Sequence, residues 1–349
     1  MTQRPGKKVL VTGVASYIGI HVADQFLQAG YHVLGTVQTG ERTDHIVKYF
    51  LKYGHGKFVV QEIGYPAEDN VYDFVVQGVD IIAHVPHVVY GSVPGNPMIH
   101  VIEPAVKSML TLLNSAHQYG TRVKHIVITS NLASILHLDT KPGYEYSEDD
   151  WNDWAMATVE KNLRIGNQND PIIAYCASKY KAEQAVWEFR KQYTPRFAIT
   201  TIIPSYVVGP VIPRPETTRD VEDVSSVRHF IRYFSGEAQD PRLNTFSGNY
   251  VSVVDVALAH VKAAQLGKAV DGERFIVAAG EFCFQQLADI LRETFPERSE
   301  IIAEGHPGQY THPVQLVNST KAQKVLDIQY TPMRQVIVDT IESFKHLYL

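Results

Sequence analysis

The chain has 349 residues, of which 45% are hydrophobic, and this length and composition suit a substantial core in one large or two closely joined domains. Its formal net charge is -5 and it contains no long basic run, so nothing supplies the phosphate-neutralising surface of a nucleic-acid binder. The two cysteines are too few for a disulfide scaffold, and no signal-peptide or bilayer-spanning apolar stretch occurs, so we expect a cytoplasmic protein without a membrane partner.

Strand and helix patterns alternate along the first part of the chain. Residues 8–12 form an apolar run, residues 18–29 carry helical periodicity and residues 32–37 again have a strand pattern, which together predict a βαβ unit. The alternation continues with predicted strands at 57–60, 79–84, 124–129 and 199–203 and predicted helices near 69–77, 98–119 and 173–192. Because these strands are apolar throughout, we expect a parallel sheet with helices on both faces, the doubly wound α/β arrangement called the Rossmann fold.

The regular alternation ends at Pro204. Residues 206–247 are rich in proline, arginine and polar groups, and the C-terminal part mixes helices with short strands. We therefore predict a Rossmann domain of residues 1–205 with about 248–278, and a smaller, mainly C-terminal α/β domain of residues 206–247 and 279–349.

The turn after the first strand reads VTGVASYIGIHV and places Gly13, Ser16 and Gly19 at the spacing of a dinucleotide fingerprint. Such a turn brings its backbone close to a pyrophosphate and points the free amides of a helix N-terminus at the phosphates. Ser16 stands where a glycine is usual, so its side chain either narrows the approach of the phosphates or adds a hydrogen bond. A plain tight turn is the alternative, but the βαβ context favours a dinucleotide cofactor.

The end of the second strand, HVLGTVQTGER, bears on which dinucleotide binds. An NAD site usually has a carboxylate here for the ribose hydroxyls, whereas this chain has Val37 and Gln38. Arg42 can reach a 2′-phosphate, and Gln38 and Thr39 can donate neutral hydrogen bonds. The pattern favours NADPH over NADH, although Arg42 also fits an ordinary exposed helix charge.

Two residues with catalytic chemistry lie in IIAYCASKYKAEQAVWEF. Tyr175 and Lys179 are four residues apart in a helical segment, so both project from one face. A free tyrosine ionises near about pH 10, and a neighbouring ammonium stabilises its phenolate, which makes Tyr175 a general acid for a carbonyl oxygen. Lys179 can also hold the nicotinamide ribose. The Y-x-x-x-K pattern alone occurs by chance, but the fingerprint turn and a polar strand end favour catalysis.

That strand end is HIVITSNLASI, in which a buried run stops abruptly at Thr129, Ser130 and Asn131. Together with the segments TGVASYIG, YCASK, IIPSYVVGP, GNYVSVVDVALAH and YSEDDWND, it resembles the extended short-chain dehydrogenase/reductase superfamily. More narrowly, the chain is similar to the dihydroflavonol-reductase-like carbonyl reductases of fungi and plants, a group that includes yeast methylglyoxal/isovaleraldehyde reductase. The likeness covers nearly the whole chain.

The resemblance implies NADPH-dependent reduction of an aldehyde or ketone, with Tyr175 as the acid and Lys179 as its partner. The first domain would bind NADP and the second the small-molecule substrate. Pro204 and Val207 would line the nicotinamide, and His84 would end the fourth strand near the cofactor. The implied cofactor site also includes Tyr17, Ile18 and Glu62, beside Gly13, Ser16, Gly19, Gln38 and Arg42.

Asn131 departs from the family pattern at a working position. In such reductases the strand ends in two serines, the second of which binds the substrate carbonyl, and here Asn131 takes that second place. Successive strand residues face opposite ways, so Ser130 replaces it only if the strand slips or bulges. The Asn131 amide can itself donate to a developing oxyanion, and the alternative is ordinary capping at a strand end.

A second departure is the pair Pro86 and His87, in a stretch where the family usually carries a serine. His87 either faces the substrate as an extra acid or base or is an ordinary histidine. Tyr206, directly after the cofactor-lining region, is a candidate for substrate contact. The sequence contains no H-E-x-x-H or cysteine-pair pattern, so we predict no metal site.

Two other functions remain open on the same residues. The superfamily scaffold also hosts epimerases and dehydratases that keep their cofactor bound. The four departures at Ser16, Gln38, His87 and Asn131 also fit an NADP-binding sensor or partner module with weakened chemistry. Intact Tyr175 and Lys179 argue against this module.

Overall fold

The computed structural model describes residues 6–86, 95–140, 143–167, 170–238, 247–312 and 315–349. His87 lies outside these residues. The chain divides into two compact units. The first comprises Met1–Asp139, Glu148–Ile203 and Ala257–Phe275, and the second comprises Thr140–Ser147, Pro204–Val256 and Ile276–Leu349. Residues 140–147 and 248–256, which the sequence places with the Rossmann domain, thus belong to the second unit.

The strands and helices are numbered in chain order. The strands are β1 (Lys8–Thr12), β2 (His32–Gln38), β3 (Phe58–Ile63), β4 (Ile81–His84), β5 (His125–Thr129), β6 (Glu145–Tyr146), β7 (Ala198–Pro204), β8 (Tyr206–Val208), β9 (Ser247–Ser252), β10 (Arg274–Val277), β11 (Gly280–Cys283) and β12 (Leu316–Val317). The α-helices are α1 (Tyr17–Gln28), α2 (Asp44–Phe50), α3 (Glu103–Gln118), α4 (Asp153–Ile165), α5 (Pro171–Tyr193), α6 (Thr218–Glu222), α7 (Val227–Ser235), α8 (Val253–Leu266), α9 (Phe284–Thr294), α10 (Thr320–Val325) and α11 (Met333–Phe344).

The first unit is built on a sheet of seven strands in the order β10-β7-β5-β4-β1-β2-β3 within the described residues. The pairs β1–β2, β1–β4, β2–β3, β4–β5 and β5–β7 are parallel. Strands β4, β5 and β7 are buried along their whole length, as their apolar runs predict. The predicted doubly wound fold is confirmed, and the strand order reverses between β1 and β4, where such sheets bind ligands.

An apolar core joins this sheet to helices α3 and α5. It contains Leu10, Ile82 and Ile126 from the strands with Leu112 and Phe189 from the two helices, each at most 2% exposed. Full burial of a side chain of this size contributes about 1.5–3 kcal/mol. The core therefore fixes α5 firmly against the sheet.

The helix predicted near residues 69–77 is wrong, because residues 69–78 form a series of turns. Tyr72, Val75 and Val76 are buried, which gives the segment a helix-like spacing of apolar residues. However, Asn70 has φ +65°, a left-handed conformation that a continuous α-helix does not accommodate. Packing of these side chains onto the core, rather than helical hydrogen bonding, explains the periodicity.

The second unit contains two small sheets, β11-β9-β8 and β12-β6, in its described residues. Helix α7 buries Val227, Phe230 and Phe234 on one face. The Phe230 ring stacks on that of Phe282, with 6.0 Å between centroids, and Phe282 meets Phe284 edge to face. Aromatic packing of this kind gives the smaller unit a core of its own.

Candidate active site

The turn between β1 and α1 requires glycine at two positions. Gly13 has φ +62°, and a Cβ there would lie 2.5 Å from the carbonyl oxygen of Val85. A Cβ at Gly19 would lie 2.2 Å from the carbonyl oxygen of Gly13. Neither contact is sterically possible, so the turn keeps both positions free of side chains and leaves the N-terminus of α1 accessible.

Ser16 is the N-cap of α1. Its Oγ accepts from the Gly19 amide at 3.1 Å and donates to the carbonyl oxygen of Gly13 at 2.7 Å. The hydroxyl therefore joins the hydrogen bonding of the turn, the second of the two roles considered from the sequence. A cap of this kind stabilises a helix by about 1 kcal/mol.

A cleft of about 180 Å³ opens beside this turn. Its lining includes the fingerprint turn, the ends of β2 and β3 and the segment after β4, namely Gly13, Ala15, Ser16, Thr36, Val37, Gln38, Glu41, Ile63, Pro66, Tyr72, Val85, Pro86 and Ser108. A backbone cradle without side chains, set at a helix N-terminus, fits the phosphates of a dinucleotide. The residues present thus suit the cofactor that the sequence predicts.

Several predicted cofactor residues lie outside this lining. Tyr17 and Ile18 are half-buried in the first turn of α1, and the Tyr17 ring meets that of His21 edge to face. Glu62 and Arg42 are exposed, at the end of β3 and after β2. Arg42 makes no ion pair with any described residue, so its guanidinium is available to a bound anion. These four assignments stay predictions.

His84 is fully buried at the end of β4. Its Nδ1 and the Thr12 hydroxyl are 2.7 Å apart, and the same hydroxyl accepts from the Val85 amide at 3.1 Å. Burial, reinforced by the charge of Lys179, lowers the pKa of His84 to about 3, so its ring is neutral at physiological pH. His84 therefore supports the cleft from behind, because it holds Val85 through Thr12.

Helix α5 presents the two catalytic candidates. Asp170 caps its N-terminus by accepting from the Ile172 amide at 2.7 Å, and Pro171 occupies the first helical position. The Lys179 Nζ lies 5.5 Å from the centre of the Tyr175 ring, and both side chains are half-buried. Desolvation lowers the pKa of Lys179 to about 8. The ammonium therefore remains charged at neutral pH beside the phenol.

Asn131 begins a single helical turn after β5. Its Oδ1 accepts from the Ala133 amide at 2.8 Å, so the capping role considered from the sequence is occupied. Its backbone is extended, with φ -160° and ψ 149°. The amide nitrogen Nδ2 has no hydrogen-bond partner among the described residues, so capping leaves the donor end of the side chain free.

Ser130 is engaged elsewhere. Its Oγ donates to the Glu183 Oε2 at 2.5 Å, and its amide donates to the carbonyl oxygen of Ile202 at 2.7 Å. The strand neither slips nor bulges here, because β5 and β7 stay in register up to Thr129. A hydroxyl bound to a buried carboxylate is a poor substitute for Asn131 as a donor to substrate.

Two residues near this strand end were missed from the sequence. Glu183, one turn beyond Lys179 on α5, is 2% exposed, and its Oε1 accepts from the Arg274 Nε at 2.8 Å. Burial alone would raise the pKa of Glu183, but Arg274 together with the hydroxyls of Ser130 and Ser134 outweighs burial and holds that pKa below its ordinary range. The four-residue spacing from Tyr175 to Lys179 to Glu183 was the available signal. No sequence pattern pointed to Arg274, which lies 91 residues further along the chain.

A family model described as the NAD dependent epimerase/dehydratase family matches residues 9–278, more than half of the chain. The chain belongs to this family. A relative, an uncharacterized oxidoreductase of Schizosaccharomyces pombe, is 37% identical over 303 residues, which cover 86% of this chain and 85% of that protein. The NADPH-dependent methylglyoxal reductase GRE2 of Saccharomyces cerevisiae is 28% identical over 344 residues, which cover 95% and 96%. The crystal structure of Gre2 from Candida albicans in complex with NADPH matches with a TM-score of 0.85 and 25% identity, over 98% of this chain and 100% of that one.

In this member of the epimerase/dehydratase family, three further predicted residues belong to the second unit. Pro204 is the buried last residue of β7, and Val207 in β8 pairs with Val251 of β9. The Tyr206 hydroxyl donates to the carbonyl oxygen of Ser226 at 2.9 Å, and its ring stacks on that of Phe282. These contacts explain why Tyr206 is well packed, and its role towards substrate stays a prediction.

The described residues of this family member contain no group of three or more histidine, cysteine, aspartate or glutamate side chains able to hold a metal ion. In the same parts of the chain, no helix is long and apolar enough to cross a bilayer.

Proposed function

We propose that the protein is an NADPH-dependent reductase that converts an aldehyde or ketone to the alcohol. The observation that carries this proposal is the pair on α5, where a charged Lys179 lies 5.5 Å from the Tyr175 ring and lines a pocket together with Thr129 and Ser130 at the end of β5. Two similar proteins support this proposal. GRE2 of Saccharomyces cerevisiae is named as an NADPH-dependent methylglyoxal reductase, and Gre2 of Candida albicans has a crystal structure in complex with NADPH.

Tyr175 donates the proton in this reaction. Its hydroxyl proton moves to the carbonyl oxygen of the substrate, and the phenolate that results is stabilised by the Lys179 ammonium. Bound NADPH supplies the hydride from C4 of its nicotinamide ring. Because the pKa of Lys179 is about 8, the ammonium is present over the neutral range in which a cell would use the enzyme.

Asn131 polarises the carbonyl oxygen. Its Nδ2 has the free donor that an oxyanion needs, while its Oδ1 is fixed by the Ala133 amide at 2.8 Å. This fixation orients the amide without consuming its donor. An amide does not relay protons, so proton delivery rests on Tyr175 alone.

The cleft supports the predicted cofactor residues. The turn at Gly13, Ser16 and Gly19 would hold the pyrophosphate at the N-terminus of α1, and Gln38, which lines the same cleft as Gly13 and Ser16, would contact the adenosine ribose. Arg42, exposed and without an ion pair among the described residues, provides charge for the 2′-phosphate.

The decisive test is turnover by purified protein with a panel of aldehydes and ketones, methylglyoxal included, followed as loss of the NADPH absorbance band. We expect net NADPH oxidation, and Tyr175→Phe should lower kcat by about 10²-fold or more. Tyr193→Phe, at the exposed end of the same helix, is the matched control and should leave kcat unchanged. Product formation without NADPH loss would instead indicate an epimerase or dehydratase, and binding without turnover a sensor module.

A further inference from the structure

A buried polar cluster lies directly behind the end of β5. At its centre is the Glu183 carboxylate, which is 2% exposed. Its Oε2 accepts from the hydroxyls of Ser130 at 2.5 Å and Ser134 at 2.7 Å, and its Oε1 accepts from the Thr201 hydroxyl at 3.0 Å and the Arg274 Nε at 2.8 Å. The carboxylate is thus satisfied on both oxygens.

The cluster reaches Asn131 through Ser134. The Ser134 amide donates to the carbonyl oxygen of Asn131 at 2.9 Å, and the Ser134 hydroxyl lies 2.8 Å from the same oxygen. Ser134 is fully buried, so water does not replace these contacts. Glu183 therefore holds Asn131 from both sides in the chain, through Ser130 before it and Ser134 after it.

Arg274 extends the cluster to the segment before α4. Its guanidinium lies 3.6 Å from the Trp151 ring centre and donates to the carbonyl oxygens of Glu148 and Asp150. Asn152, which follows Trp151 in the chain, is fully buried, and its Nδ2 donates to the carbonyl oxygen of Ala133 at 2.9 Å. The turn that begins at Asn131 is consequently held on this side too.

Stability alone does not call for such a cluster. Desolvation of two charges offsets most of their attraction, and apolar residues of the same shape are often as stabilising as a buried ion pair. Directional hydrogen bonds from hydroxyls and from the guanidinium do, however, fix the position of the groups that they join. Because Glu183 is on the same helix as Tyr175, eight residues later, any restraint it places on the strand end is a restraint relative to the acid.

We propose that Glu183, neutralised by Arg274, is a positioning residue that fixes the Asn131 amide relative to Tyr175. This inference rests on the proposed role of Asn131 as donor to the substrate oxygen. Glu183 itself does not touch the reacting atoms. Since misplacement by about 1 Å can cost about 10²-fold in rate, loss of the restraint should appear in kcat and not in cofactor binding.

Two variants test the restraint. Ser134→Ala removes the hydroxyl bond to Glu183 on one side of Asn131 and keeps both the Ser130 bond and the ion pair, and Glu183→Gln removes the charge at nearly constant shape. We expect kcat for carbonyl reduction to fall about 10- to 100-fold in both, with NADPH affinity by fluorescence titration changed less than about twofold. If Glu183→Gln fails to fold because Arg274 is left unpaired, Ser134→Ala carries the test.

The matched control is Ser115→Ala. Ser115 is a buried serine on α3 whose hydroxyl donates to a carboxylate oxygen of Asp73 at 2.5 Å, the same kind of bond placed away from the site. This variant should lower the melting temperature as Ser134→Ala does and leave kcat unchanged. An equal fall of kcat in both would show a general effect of lost stability and would overturn the inference.

A double-mutant cycle separates positioning from a purely structural role. If Ser134 acts through Asn131, Ser134→Ala should have no further effect on kcat in an Asn131→Ala background. Additive losses would overturn the inference and leave the proposed function standing. Unchanged kcat in Asn131→Ala would overturn both this inference and the role of Asn131, whereas full turnover by Tyr175→Phe would overturn the proposed function itself.

Discussion

Replacement of Lys179 by methionine should stabilise the fold while it removes the activity. The ammonium is half-buried and its pKa is lowered from 10.5 to about 8 by desolvation. A difference of this size corresponds to about 3 kcal/mol of unfavourable free energy carried by the folded state. Lys179→Met lacks that charge, so its free energy of unfolding should exceed that of the native protein by an amount of this order at neutral pH.

The stability of the native protein should depend on pH because Lys179 titrates at different pH values in the folded and unfolded chains. Between about pH 8 and 10.5 the unfolded chain binds more protons at this lysine than the folded chain, so the native protein gains stability as pH rises through that interval. The unfavourable free energy of the desolvated Lys179 ammonium is carried in full below about pH 8 and is absent above pH 10.5. The contribution of Lys179 itself to the advantage of Lys179→Met should therefore shrink by about 3 kcal/mol across the interval, while groups remote from Lys179 titrate equally in both proteins.

Urea unfolding followed by circular dichroism, at pH values below, within and above this interval, measures the difference. Lys191→Met, at an exposed position near the end of α5, is the matched control and should show no such pH-dependent change. A stability difference between Lys179→Met and the native protein that stays constant with pH would refute the assignment of Lys179 as a desolvated ammonium.

Three further predictions concern the site. Asn131→Asp keeps the oxygen that accepts from the Ala133 amide but loses the donor, and kcat should fall on the order of 10²- to 10³-fold in single-turnover assays; unchanged kcat would remove Asn131 from the mechanism. Arg42→Ala should raise the Kd for NADPH about 10- to 100-fold and leave that for NADH unchanged in fluorescence titration, and equal losses for both would contradict a phosphate contact. Gly19→Ala should abolish NADPH binding, since its Cβ would lie 2.2 Å from a backbone oxygen, whereas Gly280→Ala, with 3.4 Å to the nearest atom, should bind normally.

Much of the Rossmann sheet could be predicted from the sequence because its strands carry their own signal. Strands β4, β5 and β7 are buried on both faces, so most of their residues are apolar. The turns over residues 69–78 could not be predicted in this way. Burial of Tyr72 and Val76 imitates helical periodicity, while the left-handed Asn70 that excludes a helix has no clear counterpart in the pattern.

The candidate site divides in the same manner. Tyr175, Lys179 and the fingerprint turn form local patterns, so their spacing along the chain was sufficient to predict them as site residues. The pairing of Glu183 with Arg274 spans 91 residues and depends on how β10 lies in the sheet, which spacing does not reveal. The role of Ser130 could not be predicted either, because only the folded chain shows that its hydroxyl donates to the buried Glu183 carboxylate.

The contacts that Arg274 makes with Glu148 and Asp150 go to main-chain oxygens, so they do not depend on which side chains those positions carry. Evolution, or a protein engineer who builds libraries around this segment, can therefore exchange these two side chains and keep the guanidinium in place. Glu183 and Arg274 have no such freedom, and we expect them to be inherited or replaced together in descendants of this enzyme.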